Sequence, residues 1–224
     1  MKQEVVDYYN KIAVQYDDSR FANSYGKFID RQERNLLTRF LGADYKYNVL
    51  DLGCGTGRLL DLADCGIDAS EEMIKIAKAK FPQKDIYKGD AATTHFAAGT
   101  FDVVISFHVL MHLTNQEVVN ILNEAHRILK TGGRIIFDVP SQKRRTLFDF
   151  RKAGWHGAND FSVRDIENFC GTKWKLERYY GILFFPIHRS PVFMRRLLLS
   201  LDNLLCRSFM KEYSSYLAFE LRKL

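Results

Sequence analysis

Three glycines at alternate positions, Gly53, Gly55 and Gly57, directly follow the short, largely apolar run Tyr47 to Leu52, which Asn48 and Asp51 interrupt. The run reads as a buried strand, and Leu59, Leu60 and Leu62 behind the glycines start a helix-like face. Residues without a Cβ let the chain turn tightly and let a ligand lie against bare backbone. The spacing predicts a nucleotide-type pocket at the carboxyl end of the first strand. Free N–H groups at the new helix N-terminus would favour an anionic group there.

Which nucleotide is a separate matter. The dinucleotide fingerprint is G-x-G-x-x-G, whereas these glycines fall as G-x-G-x-G, with Arg58 where the last would stand. Asp51, two residues before the first glycine, can reach a bound amino group directly or through water. Alone, such a loop serves nucleotide sites and plain strand-to-helix turns alike.

At 224 residues the chain suits one α/β domain with a full core. Residues 1–140 carry a net charge of −2 and residues 141–224 a net +8, so the basic excess lies downstream of the glycines. It is either a solvated face or a surface for an anionic substrate, an acidic membrane or nucleic acid. Cys54, Cys65, Cys170 and Cys206 form no C-x-x-C pair, which argues against a zinc knuckle and a stapled secreted scaffold. No metal is expected. The N-terminus has no apolar signal core and no run reaches the length of a membrane span. The expectation is a cytoplasmic protein with reduced thiols.

Taken in order, helical spacing predicts a helix over residues 2–17 and another over 26–41, the latter with the charged Asp30-Arg31-Gln32-Glu33-Arg34 run outward. Ser70 should cap a helix carrying Glu71 and Glu72 in its first turn. Asp68, ending a second strand, suits the hydroxyls of a ribose. Only ten residues separate Gly57 from Asp68, so the first helix should be about two turns and the second strand very short. Asp85–Lys88, Phe101–Phe107 and Arg134–Pro140 read as further strands, and Gly132-Gly133 as a helix stop.

The glycine stretch, the Tyr8–Asp17 segment, Gly89-Asp90-Ala91, the strand ending at Phe107 and Ile128-Leu129-Lys130-Thr131-Gly132-Gly133-Arg134 come in one order. In that order they resemble the class I S-adenosylmethionine-dependent methyltransferases, of the small-molecule, ubiquinone/menaquinone-biosynthesis-like type. The resemblance covers about residues 5–140. It implies a Rossmann-like, seven-stranded, mostly parallel sheet with one antiparallel edge strand, helices on both faces and an N-terminal helical cap. One methyltransferase domain would fill 1–224: cap 1–42, cofactor core 43–140, and a substrate-side part 141–224 with a helical insertion at 190–210. S-adenosylmethionine would be the cofactor and S-adenosylhomocysteine the product. Implied contacts are Tyr16 and Arg31 at the methionine part, Asp51, Gly53, Cys54, Gly55 and Gly57 at the loop, Asp68, Ala69 and Met73 after the second strand, Asp90 and Ala91 at adenine, and Phe107 beside the transfer point.

His108 and His112 follow that point at i and i+4, on one face if the segment is helical. Imidazole suits proton removal from a hydroxyl or ammonium acceptor near neutral pH, and His112 is the better candidate base. A structural, hydrogen-bonded histidine is the other reading. Downstream, Lys143, Arg144, Arg145, Arg151 and Lys152 interleave with Phe148, Phe150 and Trp155, and residues 191–210 are rich in Leu and Arg. That amphipathic stretch suits packing on the domain, a dimer face, a lid or a peripheral membrane contact. The chain reads as a monomer or homodimer acting on a small molecule, anionic or lipid-linked. An RNA methyltransferase lacks an appended RNA-binding module here; a non-catalytic cofactor- or partner-binding module and a nicotinamide dehydrogenase are the remaining readings.

Overall fold

The computed structural model of the chain describes residues 3–42, 46–149 and 159–224. Two helices lead, α1 (Gln3–Arg20) and α2 (Ser24–Leu41). The Asn23 side chain caps α2 by accepting from the Gly26 N–H. Gly26 is required at this corner, because a Cβ would stand 2.0 Å from the Arg20 carbonyl oxygen.

Seven strands follow: β1 (Val49–Leu52), β2 (Cys65–Asp68), β3 (Asp85–Lys88), β4 (Phe101–Ser106), β5 (Leu129–Pro140), β6 (Trp174–Ile182) and β7 (Tyr216–Lys223). They form one sheet in the order β3-β2-β1-β4-β5-β7-β6. The first five run parallel, and β7 pairs antiparallel with both β5 and β6 at that end of the sheet. The order reverses between β1 and β4, and ligands of such sheets bind outside the carboxyl ends at that switch point.

Alternation along the strands builds two cores. Leu50, Val104, Ile135, Phe137 and Phe219 face α4 (Asn115–Ile128) and α6 (Val163–Cys170). Val49, Val103, Ile105, Ile136 and Ala218 face α2 and α3 (Glu71–Lys80). This period of two, apolar on both sides, is what a sheet covered on both faces demands. A reciprocal Thr114–Glu117 capping box starts α4, and Ser70 caps α3 as its sequence predicts. The short α5 (Gln142–Leu147) follows β5; Phe150, Arg151, Lys152 and Trp155 of the basic–aromatic run lie outside the described residues. α7 (Val192–Leu205) fills the 191–210 stretch.

Two local expectations are corrected. No α-helix follows the glycines; the chain makes a single 3-10 turn at Leu60–Leu62. Asp64 is tied back to the start of β1, its N–H donating to the Val49 carbonyl and its carboxylate accepting from the Val49 N–H, both at 2.8 Å. Only six residues remain between Gly57 and Asp64, too few for two helical turns and the return. The short β2 is nonetheless paired on both sides. The 30–34 run is not wholly outward either, for Gln32 and Glu33 are buried.

Candidate active site

The glycine turn is left-handed at each glycine, with φ of 85°, 52° and 84° at Gly53, Gly55 and Gly57. The N–H groups of Gly53 and Cys54 donate to the Ile67 carbonyl, which pins the turn to β2. Asp68 closes the arrangement: one carboxylate oxygen accepts from the Gly55 N–H and the other from the Ser70 N–H, both at 2.8 Å. A Cβ on Gly53 would collide with Val109, whereas one on Gly55 would meet nothing within 4 Å. The open side of the turn is therefore at Gly55.

That side borders a cleft between the glycine turn, Asp68, Met73 and the segment after β4, including Phe107, Val109 and His112. A second compartment of about 360 Å³ shares Tyr16, Gly53, Gly55, Phe107 and His108 with it and reaches Asp51, Cys54 and Arg58. The N-terminal helix covers both. Asn10 on α1 accepts from the Ser70 hydroxyl at 2.7 Å, and Asp17 from the Thr56 hydroxyl at 2.6 Å. Tyr9 and Tyr16 of α1 stand edge to face above the cleft.

The two histidines do not share a helical face. His108 leaves β4 with φ of 61°, and His112 ends a 3-10 turn that starts at Leu110. The reversal follows from Asp138 of β5, whose carboxylate accepts the His108 N–H at 2.6 Å and draws the backbone round. Both side chains still line the cleft. His112 Nε2 lies 2.8 Å from the Tyr9 hydroxyl. Burial pushes the Tyr9 phenol far up, with Tyr16 adding to it, so Tyr9 stays neutral.

His108 sits between two carboxylates, with Nε2 2.8 Å from Glu33 and Nδ1 3.6 Å from Asp138. The approach to Glu33 is close, but it lies off ordinary hydrogen-bond alignment. Arg58 completes the cluster, 2.7 Å from Glu33 and 2.8 Å from Asp30. Burial works against charge on both Glu33 and His108, yet the neighbours prevail. His108 and Arg58 hold the Glu33 carboxyl down at about 2, and Glu33 and Asp138 raise the His108 imidazole. Glu33, His108 and Asp138 bring ligand atoms within 4.8 Å of one another. With one ring nitrogen turned to each carboxylate and a guanidinium on Glu33, the arrangement is that of a clamped imidazolium. Burial pushes the Asp51 carboxyl up to about 7, against the pull of Arg58, and the Asp68 and Asp61 charges add to it.

Of the residues singled out in the sequence, the fold gathers Tyr16, Asp51, Gly53, Cys54, Gly55, Asp68, Met73, Phe107, His108 and His112 around the two compartments. Ala69 adjoins Asp68. Gly57 instead backs onto Leu60, Ala77 and Phe81. Asp90 and Ala91 follow β3 outside the lining of either compartment, Asp90 accepting from the Ala92 N–H. Arg31 is exposed on a separate groove between α2 and α7. Sequence reading missed Tyr9, Glu33, Arg58 and Asp138 as site residues. A carboxylate inside the otherwise apolar run of β5 was the available signal for Asp138.

Similarity to known proteins agrees with this geometry. The family model described as a methyltransferase domain matches residues 50–137. An uncharacterized protein of Methanocaldococcus jannaschii is 34% identical over 140 residues, 62% of this chain and 52% of that one. Demethylmenaquinone methyltransferase of Lactococcus lactis is 31% identical over 149 residues, 60% of this chain and 58% of that one. The chain thus spans little more than half the length of these relatives. In three dimensions an S-adenosylmethionine-dependent methyltransferase of Thermotoga maritima superposes with a TM-score of 0.72 at 17% identity, covering 96% of this chain and 98% of that one. The segment similar to the methyltransferase domain runs from β1 into β5, and so carries the glycine turn and the switch point of the sheet.

Proposed function

We propose that the chain transfers a methyl group from S-adenosylmethionine to a small-molecule acceptor. The observation that carries this reading is the shared cleft, in which the open turn at Gly55, the Asp68 carboxylate and the Phe107–Leu113 segment face one space. The residues fit the cofactor. Met73, Phe107, Val109 and Leu113 supply flat apolar walls for a base, and Asp68 keeps unused lone pairs for ribose hydroxyls. Asp51 can balance an amino group in the inner compartment. When bound, the cofactor supplies an electrophilic methyl group on a sulfonium sulfur. The missing helix after the glycines argues against a dinucleotide, whose pyrophosphate rests on a helix N-terminus.

The protein's own part is positioning, exclusion of water and proton handling. α1 roofs the cleft through its bonds to Thr56 and Ser70. With the His112 proton on Nδ1, Tyr9 donates to Nε2, and the imidazole can then take the Tyr9 proton as the Tyr9 oxygen takes one from an acceptor hydroxyl. His108, clamped by Glu33 and Asp138, holds its proton and serves as a fixed cation in the wall. A hydroxyl acceptor, lipid-linked or anionic, agrees best with this pair; the name of the Lactococcus relative supports a quinol.

Two outcomes test the reading. Asp68→Asn should weaken S-adenosylhomocysteine binding about tenfold by calorimetry, the loss of one charge-assisted bond, and lower the melting temperature because the Gly55 or Ser70 N–H loses its acceptor. Unchanged affinity would remove Asp68 from the ribose. His112→Asn should lower turnover with a quinol or phenol acceptor about a hundredfold while product binding persists. Full activity in that variant would discard the relay.

A further inference from the structure

The outer face of α7 carries apolar side chains that nothing among the described residues covers. Phe193 is 76% exposed, Leu197 77% and Leu204 65%, with Leu201 in the same row and Phe209 at 93% beyond the helix end. The spacing 193, 197, 201, 204 puts them on one stripe. The opposite face is used: Asp202 is buried against Gln32 of α2, and Arg195 donates to Ser24. The stripe is therefore surplus to the fold.

The charges around it are mainly basic, since the acid of the flanking groove, Asp30, is paired with Arg34 and Arg58. Between Pro186 and Lys211 the sequence has five basic residues and a single acid, Asp202, whose exposure is 0%. Arg189 and Arg207 are exposed at either end of the helix. Along its flank runs the groove shared with α2, which Lys27 and Arg31 line. An exposed apolar ridge with a basic rim fits a surface that is apolar inside and anionic outside. A second copy fits badly, since two-fold pairing of the stripes would set each basic rim against its like.

From the stripe and its rim we infer that α7 docks the protein on anionic lipid bilayers, Phe193, Leu197 and Leu204 entering the headgroup region and Lys27, Arg189 and Arg207 facing the lipid phosphates. The helix lies on the surface; no described helix is long and apolar enough to cross a membrane. The inference does not depend on the chemistry of the cleft.

Flotation of the full chain with phosphatidylcholine vesicles, with and without phosphatidylglycerol, tests it. Binding should require phosphatidylglycerol and fall about tenfold or more in high salt. Leu197→Glu with Leu204→Glu, and separately Lys27→Glu with Arg189→Glu, should each abolish flotation while the melting temperature and S-adenosylhomocysteine binding stay as in the parent. Equal binding to neutral vesicles, no binding to either kind, or retained flotation in both double variants would overturn the inference. So would a dimer that Leu197→Glu dissociates in the absence of vesicle binding, which would make the face a contact between copies. Flotation without any S-adenosylhomocysteine binding would leave the docking face standing and remove the proposed activity instead.

Discussion

Glu33→Gln should destabilise the protein by about 3–5 kcal/mol near pH 5.5, because it strips the charge from one member of a buried ion cluster and leaves the others in place. Glu33 is fully buried between the His108 imidazole and the Arg58 guanidinium. Its carboxyl is held at about 2 in the fold, so it contributes stability that is complete above the unfolded value near 4.5 and is lost as pH falls through about 2. His108 is shifted the other way, against its burial, by Glu33 and Asp138. Its contribution is complete below the unfolded value near 6.5 and fades as pH rises through the raised one. The gap between parent and variant should therefore be widest between those unfolded values and shrink on both sides. Urea unfolding across that range measures it. His108→Gln in the same background should then cost much less than it does alone, since the two changes remove one interaction. A loss under ~1 kcal/mol, or costs that simply add, would show that the cluster is not coupled.

The fate of Glu33 in the sequence shows where reading stops. It lies in a charged run on an amphipathic helix, and charge in such a run ordinarily means solvent. Its burial is compensated by partners from other elements, Arg58 beside the glycine turn and His108 in a left-handed turn more than seventy residues away. The strands were legible for the opposite reason. β1, β2 and β4 are short, largely apolar runs that stop at glycine, aspartate or serine, and burial on both faces writes that pattern locally. Asp68 was legible because its role depends on the end of its own strand and the turn beside it. The helix expected after the glycines failed on tertiary grounds, for nothing in Arg58–Leu62 forbids helix. The tie between Asp64 and Val49 shortens the connection. Arg31 and Glu33 are two residues apart on α2, and that rotation sends one to the surface groove and the other into the buried cluster with His108 and Arg58.

Asp51 gives the site a proton switch with a calculable sign. Burial at the end of β1 raises its carboxyl to about 7, where the unfolded chain would have it near 3.8. The folded protein therefore binds one more proton than the unfolded chain between those values. Its stability with respect to this group is greatest below about 4 and is lost as pH rises through about 7, by up to ~4 kcal/mol. Asp51→Asn removes that penalty, so the variant should gain on the parent at about pH 8 and lose the advantage at about pH 4. A ligand ammonium placed beside Asp51 reverses the preference, because the bound complex needs the carboxylate. Binding must then release a proton below pH 7, and affinity for S-adenosylhomocysteine should rise up to ~tenfold per pH unit from about 5 to 7 and level off above. Asp68 is also raised by burial, so the parent's slope alone does not assign the proton. The Asn variant does: its affinity should be weak and flat across the range. Calorimetry in buffers of different ionisation enthalpy would count the released proton directly. A parent affinity independent of pH, or a slope that survives Asp51→Asn, would take the amino group away from Asp51.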